Sequence, residues 1–330
     1  MLNENQLVER TGRRIPSAEG AGLRLGIGDD AAIVTPRRGT DWVLSCDPFL
    51  EGVHFLPNVT PADSVGYKSL VRAASDLAGM GATPRLFLMS LALPANRTGK
   101  WLDGFLGGMA RAARSLGMRL AGGDTTRSRT VGISITVVGE VAPGRFVTRS
   151  GARPGDLIYV SGRLGRAALG LALLRGGRRR DLQLRGFLQP HFYPRIRLEL
   201  GRWLAKNRIA SAMMDISDGL STDLARLCAA SGAGARIQSE SVPQPVVPAT
   251  LLQRSGLTRL DPLRLALHGG DDYELLFTVP RRSARRLRSA PDTHQLTCIG
   301  EITRGRRILL VAADGAATPL RPLGWDPFRR

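Results

Sequence analysis

Residues 85–117 read RLFLMSLALPANRTGKWLDGFLGGMARAARSLG, and this stretch decides the fold class. Its first nine residues, 85–93, form a short apolar run of the kind found in buried strands. Residues 99–116 then repeat apolar side chains at helical spacing, and Gly117 suits a helix end. A buried strand followed closely by an amphipathic helix predicts an α/β or α+β domain.

The same alternation extends in both directions along the chain. We predict strands over 41–46 and 131–141 and a helix over 61–80, whose small apolar face comprises Val65, Val71, Ala74 and Ala78. A stretch rich in Gly, Pro and Arg over 143–155 predicts a domain boundary, which we place between residues 147 and 148. The second domain, 148–330, is predicted to hold strands over 156–162, 273–279, 296–302 and 307–312, helices over 163–175, 195–205, 218–231 and 281–289, and a loop over 239–262.

Composition limits the classes of protein that fit. The formal net charge is +19, with 47 Lys and Arg against 28 Asp and Glu, and three of the basic residues are lysine. The densest arginine stretches lack interleaved aromatic residues, which disfavours nucleic acid as the main partner and favours attraction of anionic substrates. No apolar run approaches 18 residues and the N-terminus is polar, so we expect a cytoplasmic protein outside any membrane.

The three cysteines, Cys46, Cys228 and Cys298, form no C-x-x-C pair. An odd, scattered set argues against a disulfide framework and against a zinc site. We expect three free thiols in a reducing compartment.

Aspartates beside glycine, or at the ends of predicted strands, are the informative motifs. They lie in GIGDDAA (26–32), SCDPF (45–49), ASDLAGMGA (74–82), GGDTT (122–126), DISDGL (215–220) and HGGDDYEL (268–275). Glycine lets the backbone approach phosphate closely, and carboxylates without His or Cys partners suit Mg²⁺. Together the motifs predict Mg²⁺-dependent phosphoryl chemistry.

Each motif also has an ordinary structural interpretation. An Asp after Gly is often a turn residue, and Ser217 or Asp218 suits the N-cap of the following helix. His54 suits a structural role, and Trp325 suits packing of the C-terminal segment. The functional interpretation depends on the motifs occurring together in a chain with few acidic residues.

The ordered set GIGDDAAIV, DPFLEGVHF, YKSL, SDLAGMGA, GGDTT, VTRSGARPGD, DISDGLSTDL and GGDDYELLFTV closely resembles thiamine-monophosphate kinases. That family belongs to the superfamily of aminoimidazole ribonucleotide synthetase and selenophosphate synthetase. The resemblance runs from about Leu25 to GWDPF at 324–328. It implies a two-domain α/β fold, a homodimer formed through the N-terminal sheet, and ATP bound mainly by domain 1–147. Several Mg²⁺ ions would bridge both domains, with domain 148–330 completing the substrate site.

The resemblance also implies the roles of individual residues. The implied Mg²⁺ ligands are Asp30, Ser45, Cys46, Asp47, Asp76, Asp124, Asp215 and Asp218. The implied ATP contacts are Gly123, Asp124, Arg149 and Ser217. The residues implied to contact thiamine monophosphate are His54, Asp271 and Trp325. The implied reaction is direct in-line transfer from ATP to thiamine monophosphate, giving thiamine diphosphate. No residue is expected to act as general base.

Three positions depart from the family pattern, and the first is Ala74, which stands where a polar residue is frequent in the helix that carries Asp76. Cys46 stands where threonine is frequent, and a thiol is a poor Mg²⁺ ligand, although the backbone carbonyl remains available. Asp271 stands where glutamate is usual, so its carboxylate reaches one methylene less far. These departures affect the number of metal ions and the substrate affinity rather than the reaction.

Two other functions remain as alternatives. Another ATP-using enzyme of the superfamily is the nearest, although the DPFLEGVHF and GGDDYEL forms speak against aminoimidazole ribonucleotide synthetase. A selenophosphate synthetase is expected to carry a reactive cysteine in a Gly-rich N-terminal segment, and none precedes Cys46. A non-catalytic nucleotide- or nucleic-acid-binding protein explains the basic charge but not the retained carboxylates.

Overall fold

The computed structural model describes residues 4–16, 22–25, 27, 31–176, 184–248, 251, 260–291 and 295–328. The chain forms two compact units. The first comprises residues 1–77 and 82–144, and the second comprises residues 78–81 and 145–330. No helix in the described ranges is long and apolar enough to span a membrane.

The first unit contains a four-stranded sheet with helices. Its elements are α1 (Glu4–Arg14), β1 (Leu23–Leu25), β2 (Ile33–Val34), β3 (Asp41–Leu50), α2 (Ala62–Met80, whose last turn belongs to the second unit), β4 (Thr83–Leu93), α3 (Lys100–Leu116), β5 (Arg119–Arg127) and β6 (Gly132–Val141). The strand order is β3-β6-β4-β5, antiparallel except for the parallel pair β4–β5, and β1 pairs with β2 separately.

The two faces of this sheet differ. One face carries the buried Phe87, Met89, Ile133 and Ile135, and Gly139 on the same face lies against the α2 side. The opposite face carries the exposed Trp42, Leu44, Leu50 and Leu88. Successive strand residues point to opposite faces, so the register of β3 determines which of its polar residues lie towards α2.

The second unit is built on a seven-stranded mixed sheet. Its elements are β7 (Leu157–Ser161), α4 (Arg166–Arg175), α5 (Arg185–Phe192), α6 (Leu198–Lys206), β8 (Ala212–Ile216), α7 (Leu220–Ser231), β9 (Gly234–Gln238), α8 (Pro262–His268), β10 (Glu274–Val279), a 3₁₀ helix (Arg281–Ser289), β11 (Leu296–Thr303), β12 (Ile308–Val311) and β13 (Ala317–Pro319). The order is β13-β12-β9-β11-β7-β10-β8. Strands β8 and β10 are buried along their whole length, although β8 is the last strand in this order.

The main sequence predictions are confirmed. The helix over 61–80 is α2, its four predicted apolar residues are buried, and the strand and helix of 85–116 are β4 and α3. The predicted strand over 41–46 was too short, because β3 continues to Leu50 and pairs with β6 throughout. The basic segment 281–289 is a 3₁₀ rather than an α-helix. Part of the predicted loop over 239–262 lies outside the described residues.

Candidate functional site

Ser45, Asp47 and Asp76 form a polar group on the α2 side of the first unit. Strand β3 carries Ser45 and Asp47 on the same face, and Asp76 lies on α2, four residues before its end. The hydroxyl of Ser45 donates a hydrogen bond to Oδ2 of Asp76. Asp47 Oδ2 lies 3.4 Å from Nε of Arg72, also on α2. The carboxylates are therefore partly exposed and held by polar partners rather than packed in the core.

The side chain of Cys46 lies on the other face of the sheet. Its Sγ accepts a hydrogen bond from Oγ1 of Thr136 at 3.3 Å and lies 3.5 Å from Oγ of Ser134. Alternation along β3 produces this placement, since Cys46 stands between Ser45 and Asp47. A thiol ligand shared with those two side chains is excluded by this geometry, and only the backbone carbonyl of Cys46 remains as a predicted ligand.

His54 has a clear structural role in the first unit. Its Nδ1 accepts the N–H of Leu50 at 2.9 Å, and its ring stacks on Phe49 with centroids 5.7 Å apart. These contacts close the turn that follows β3. The implied contact with thiamine monophosphate therefore stays a prediction beside an observed structural function.

Gly123 and Asp124 line a groove of about 1080 Å³ in the first unit. They lie on β5, a strand that was not predicted from the sequence. A Cβ on Gly123 would stand 1.8 Å from the carbonyl oxygen of Met89, so glycine is required for β5 to approach β4. Further along the wall, Leu44 and Leu88 supply apolar surface.

In the second unit, two chain segments are tied together around Asp215 and Ser217. Asp215 lies at the end of β8 and is 3% exposed. The N–H of Asp271 donates to the carbonyl of Ser217 at 2.8 Å, and the N–H of Tyr273 donates to that of Ile216 at 2.8 Å. These bonds bring the motifs DISDGL and GGDDYEL, about 50 residues apart in sequence, to one place.

Asp218 is held by Arg226 and by a backbone contact to helix α7. Nη1 of Arg226 lies 2.5 Å from Oδ2 of Asp218 and 2.9 Å from Oδ1 of Asp223. The N–H of Asp218 donates to Oδ2 of Asp223 at 3.0 Å. Helix α7 has Gly219 at its N-cap without a side-chain hydrogen bond, so the capping interpretation of Ser217 and Asp218 is wrong.

Asp223 is the acidic residue of this cluster that sequence reasoning missed. It is fully buried, and burial, with the nearby charge of Asp218, raises its pKa to about 7 against the opposing effect of Arg226. The motif DISDGLSTDL could have indicated this residue. Asp223 falls one helical turn after Gly219, on the same side of the helix as the buried Leu220 and Leu224.

Asp271 and Trp325 lie beside the same cluster. Asp271 has φ of 70°, unusual for a residue other than glycine; its Oδ1 accepts from the hydroxyl of Tyr273 at 2.7 Å, and its Oδ2 lies 3.9 Å from Nδ1 of His191. The N–H of Trp325 donates to the carbonyl of Asp218 at 2.8 Å, while its side chain stays 44% exposed. The segment is therefore anchored through its backbone. The exposed indole does not match the structural interpretation, in which the Trp325 side chain packs the C-terminal segment.

Arg149 lies in the segment before β7, next to Thr148, which pairs with Met213 of β8. The carbonyl of its neighbour Thr148 accepts the N–H of Met213, and the carbonyl of Arg149 itself accepts from the hydroxyl of Ser231 at 3.1 Å. The guanidinium is exposed. Asp30, the remaining predicted metal ligand, lies outside the described residues.

The donor set is suited to Mg²⁺, although the described residues contain no group of three His, Cys, Asp or Glu side chains that would hold a metal by themselves. Mg²⁺ is commonly bound through one or two carboxylates together with waters and substrate phosphates. The neighbouring oxygens of Ser45 and Asp76, with Asp47 on the same face of β3, offer hard ligands of this type. The residues therefore fit the cation in their chemistry.

Comparison with known proteins identifies the family of the chain. Residues 28–141 match the AIR synthase related protein N-terminal domain, and residues 153–312 match the corresponding C-terminal domain. The chain is 35% identical over 332 residues to thiamine-monophosphate kinase of Salmonella typhimurium, covering 98% of each protein.

Two solved structures are also similar. Thiamine-monophosphate kinase from Stenotrophomonas maltophilia K279a has a TM-score of 0.80 at 35% identity, covering 94% of this chain and 96% of that one. The structure of AaThiL complexed with AMPPCP and TMP has a TM-score of 0.77 at 33% identity, with 92% of both chains covered. The motifs, the two-unit fold and these full-length similarities lead to one conclusion: the chain belongs to the thiamine-monophosphate kinase family, within the AIR synthase related proteins.

Proposed function

We propose that this protein is an ATP-dependent kinase that phosphorylates thiamine monophosphate to thiamine diphosphate, the last step in making that product. The observation that carries the proposal is the match to thiamine-monophosphate kinase over 98% of both chains. It is supported by AaThiL, a relative whose structure holds AMPPCP and TMP. The carboxylates that this chemistry requires are present in both units of the chain.

The groove beside β5 is proposed to receive ATP. Its volume of about 1080 Å³ suits a nucleotide, and its wall combines apolar side chains with the backbone of Gly122, Gly123 and Asp124. Glycine at these positions leaves backbone N–H groups open to phosphate oxygens. Arg149 and Ser217 of the second unit are proposed as further phosphate contacts, since a guanidinium forms strong paired hydrogen bonds with phosphate.

Ser45, Asp47, Asp76 and Asp124 in the first unit, and Asp215 and Asp218 in the second, are proposed to hold Mg²⁺. Asp30 and the carbonyl of Cys46 are proposed as additional ligands. When bound, Mg²⁺ would neutralise charge on the phosphates and lower the repulsion between two anionic substrates. The ion pair between Arg72 and Asp47 would hold that carboxylate in a fixed orientation before a cation arrives.

The transfer itself is proposed to be direct and in line. A phosphate oxygen of thiamine monophosphate forms a bond to the γ-phosphorus, the bond from that phosphorus to the β–γ bridging oxygen breaks, and ADP leaves with the electron pair. The attacking phosphate is largely ionised near neutral pH, since its second pKa is about 6, so no general base is needed. His54, Asp271 and Trp325 are proposed to orient the acceptor.

The test is a direct assay with purified protein, ATP, Mg²⁺ and thiamine monophosphate. Thiamine diphosphate and ADP are separated by chromatography, with EDTA and ATP-free reactions as controls. Equal amounts of both products, abolished by EDTA, are expected. Folded protein that binds ATP and forms no thiamine diphosphate would overturn the proposal and direct attention to another phosphoryl acceptor.

A cytoplasmic homodimer is also proposed, formed through the exposed face of the first-unit sheet. Leu50 and the groove residues Trp42, Leu44 and Leu88 leave an apolar surface there, and Leu44 is 60% exposed. A contiguous apolar patch on a sheet commonly marks an interface. Light scattering after gel filtration should give about twice the mass of one chain, and Leu50→Arg, which changes the same face outside the groove proposed for ATP, should give the mass of a monomer. A monomeric parent protein would contradict the dimer without affecting the kinase proposal.

A further inference from the structure

A second polar cavity, in the second unit, involves none of the residues proposed for catalysis. Its volume is about 570 Å³, within the usual range for small-molecule sites. The wall is formed by residues near the start of α4, the end of α5, the segment before α6, and the first residues of β10 and β11. Those residues are Arg163, Arg166, Gln189, Pro190, Tyr193, Pro194, Arg195, Arg197, Asp272, Glu274 and Gln295.

Four guanidinium groups line this one cavity, and one of them is neutralised. Arg197 pairs with Glu274, with Nε to Oε2 at 2.6 Å and Nη2 to Oε1 at 2.8 Å. Within the described ranges, no carboxylate pairs with Arg163, Arg166 or Arg195, all of which are exposed. The side chain of Arg163 makes one bond, to the carbonyl oxygen of Gln244 at 3.2 Å.

The two acidic groups of the wall are already engaged elsewhere. Asp272 accepts the N–H groups of Gly165 at 2.6 Å and Ala167 at 3.3 Å, at the start of α4. Burial raises the pKa of Asp272 to about 8, so near neutral pH its carboxyl carries little negative charge. Glu274 also accepts from the hydroxyl of Ser161. The cavity consequently keeps a surplus of positive charge.

We infer that this cavity binds a small phosphorylated organic anion, at a site separate from that of the kinase reaction. Guanidinium groups recognise phosphate through paired, charge-assisted hydrogen bonds, and several around one concavity suit a diphosphate. Tyr193, Pro190 and Pro194 give the same cavity a less polar wall against which the organic part of a ligand packs. The concave shape and limited volume favour a small anion over a nucleic acid backbone.

The position of the cavity would make its occupant a regulator. Asp272 and Glu274 line it, while Asp271, between Gly270 and Asp272, is tied to Ser217 in the candidate catalytic cluster. Asp271 and Tyr273 both have positive φ, so the segment is held in a defined conformation. An anion drawn in by Arg166 and Arg195 would lie against Asp272 and Glu274 of this segment.

The experiment measures binding of inorganic pyrophosphate by calorimetry, in EDTA and low salt, to four forms of the full chain. These are the parent protein, Arg166→Ala/Arg195→Ala, the matched control Arg304→Ala/Arg306→Ala, and Arg149→Ala. The control removes the same charge from an exposed turn of the same unit. Thermal unfolding checks that each variant is folded, and all four are also assayed as kinases.

Pyrophosphate is expected to bind the parent, the control and Arg149→Ala alike, and about tenfold or more weaker to the Arg166/Arg195 variant. Absence of pyrophosphate binding to the parent overturns the inference. So does equal weakening in the Arg304/Arg306 control, or a loss confined to Arg149→Ala. The inference stands apart from the proposed kinase activity, because binding is read without turnover.

Discussion

Replacing Arg197 by Met is predicted to destabilise the second unit strongly. Arg197 makes two hydrogen bonds to Glu274 and a third, from Nη2, to Oε1 of Gln295 at 2.7 Å. The side chains of Arg197 and Glu274 are 15% and 9% exposed. Met keeps an unbranched apolar stem like that of Arg and removes the guanidinium with its charge, so packing along the stem is largely retained.

The magnitude follows from what the substitution leaves behind. Glu274 remains buried with the hydroxyl of Ser161 and without its cation, and removing one partner of a buried pair costs about 3–5 kcal/mol. Arg197→Lys keeps the charge and loses the fork geometry, so we expect a cost of about 1–2 kcal/mol. The double variant Arg197→Met/Glu274→Gln should recover much of the loss, because no uncompensated charge remains.

Urea unfolding, followed by far-UV circular dichroism and by tryptophan fluorescence, measures these differences. Trp203 in α6 and Trp325 both lie in the second unit and report its transition. Exposed Arg195, two residues away, provides the matched control, and Arg195→Met should change stability by no more than about 0.5 kcal/mol.

A loss below about 1 kcal/mol in Arg197→Met would refute this reasoning. It would mean that water reaches Glu274 and screens the pair. Equal losses in the Arg197 and Arg195 variants would show that the effect belongs to the segment rather than to the ion pair.

Three further predictions concern the candidate sites. Asp47→Asn should lower kinase turnover about a hundredfold or more, because a neutral amide holds a divalent cation poorly, with little effect on folding because Asp47 is partly exposed. Asp272→Asn should remove a pH dependence of stability. Because the pKa of Asp272 is raised in the folded state, the folded parent is favoured at low pH. Urea titrations should therefore show the parent losing stability relative to the variant between about pH 4 and 8, by roughly 1.4 kcal/mol per pH unit at most. Gly123→Ala should destabilise the first unit by about 1–3 kcal/mol in thermal unfolding, whereas Gly122→Ala, whose Cβ would meet Leu88 at 3.6 Å, should be tolerated.

Each of these has an outcome that would contradict it. Asp41→Asn, on the same strand, is the control for Asp47, and equal activity of both variants would remove Asp47 from the metal site. A stability difference between parent and Asp272→Asn that stays constant with pH would show that Asp272 is ionised throughout. Equal stability of the two glycine variants would mean that β5 shifts away from Met89 without cost.

Periodic patterns made the helices and apolar strands predictable. Helix α2 was found because small apolar residues recur at its spacing between Pro61 and Gly81, and Asp76 was correctly placed on it. Strand β5 was missed because its glycines and polar residues have poor strand propensity, and pairing with β4 supplies what local preference lacks. Strands β8 and β9 were missed for a related reason: each contains a single β-branched residue and no aromatic one, unlike the equally short β7 and β12, which were predicted.

The candidate site was only partly predictable. Side chains alternate between the two faces of a strand, so Cys46 must point away from Ser45 and Asp47. This could be predicted only once β3 was known to extend past residue 46. The partnership of Arg226 with Asp218 was not predictable, because eight residues separate them and the turn before α7 folds one back on the other. The raised pKa of Asp223 and of Asp272 was likewise not predictable, because it results from burial and from neighbouring carboxylates in the folded chain.

The sequence alone determined the family, the chemistry of the donors and the two-part organisation, since these depend on residue types in fixed order along the chain. The tertiary structure decided which donors face each other. Asp76 meets Ser45, Asp271 meets Ser217, and the cavity arginines converge from distant segments. Such contacts depend on strand register and on the path of loops, which arise from packing of the whole unit and not from any local stretch.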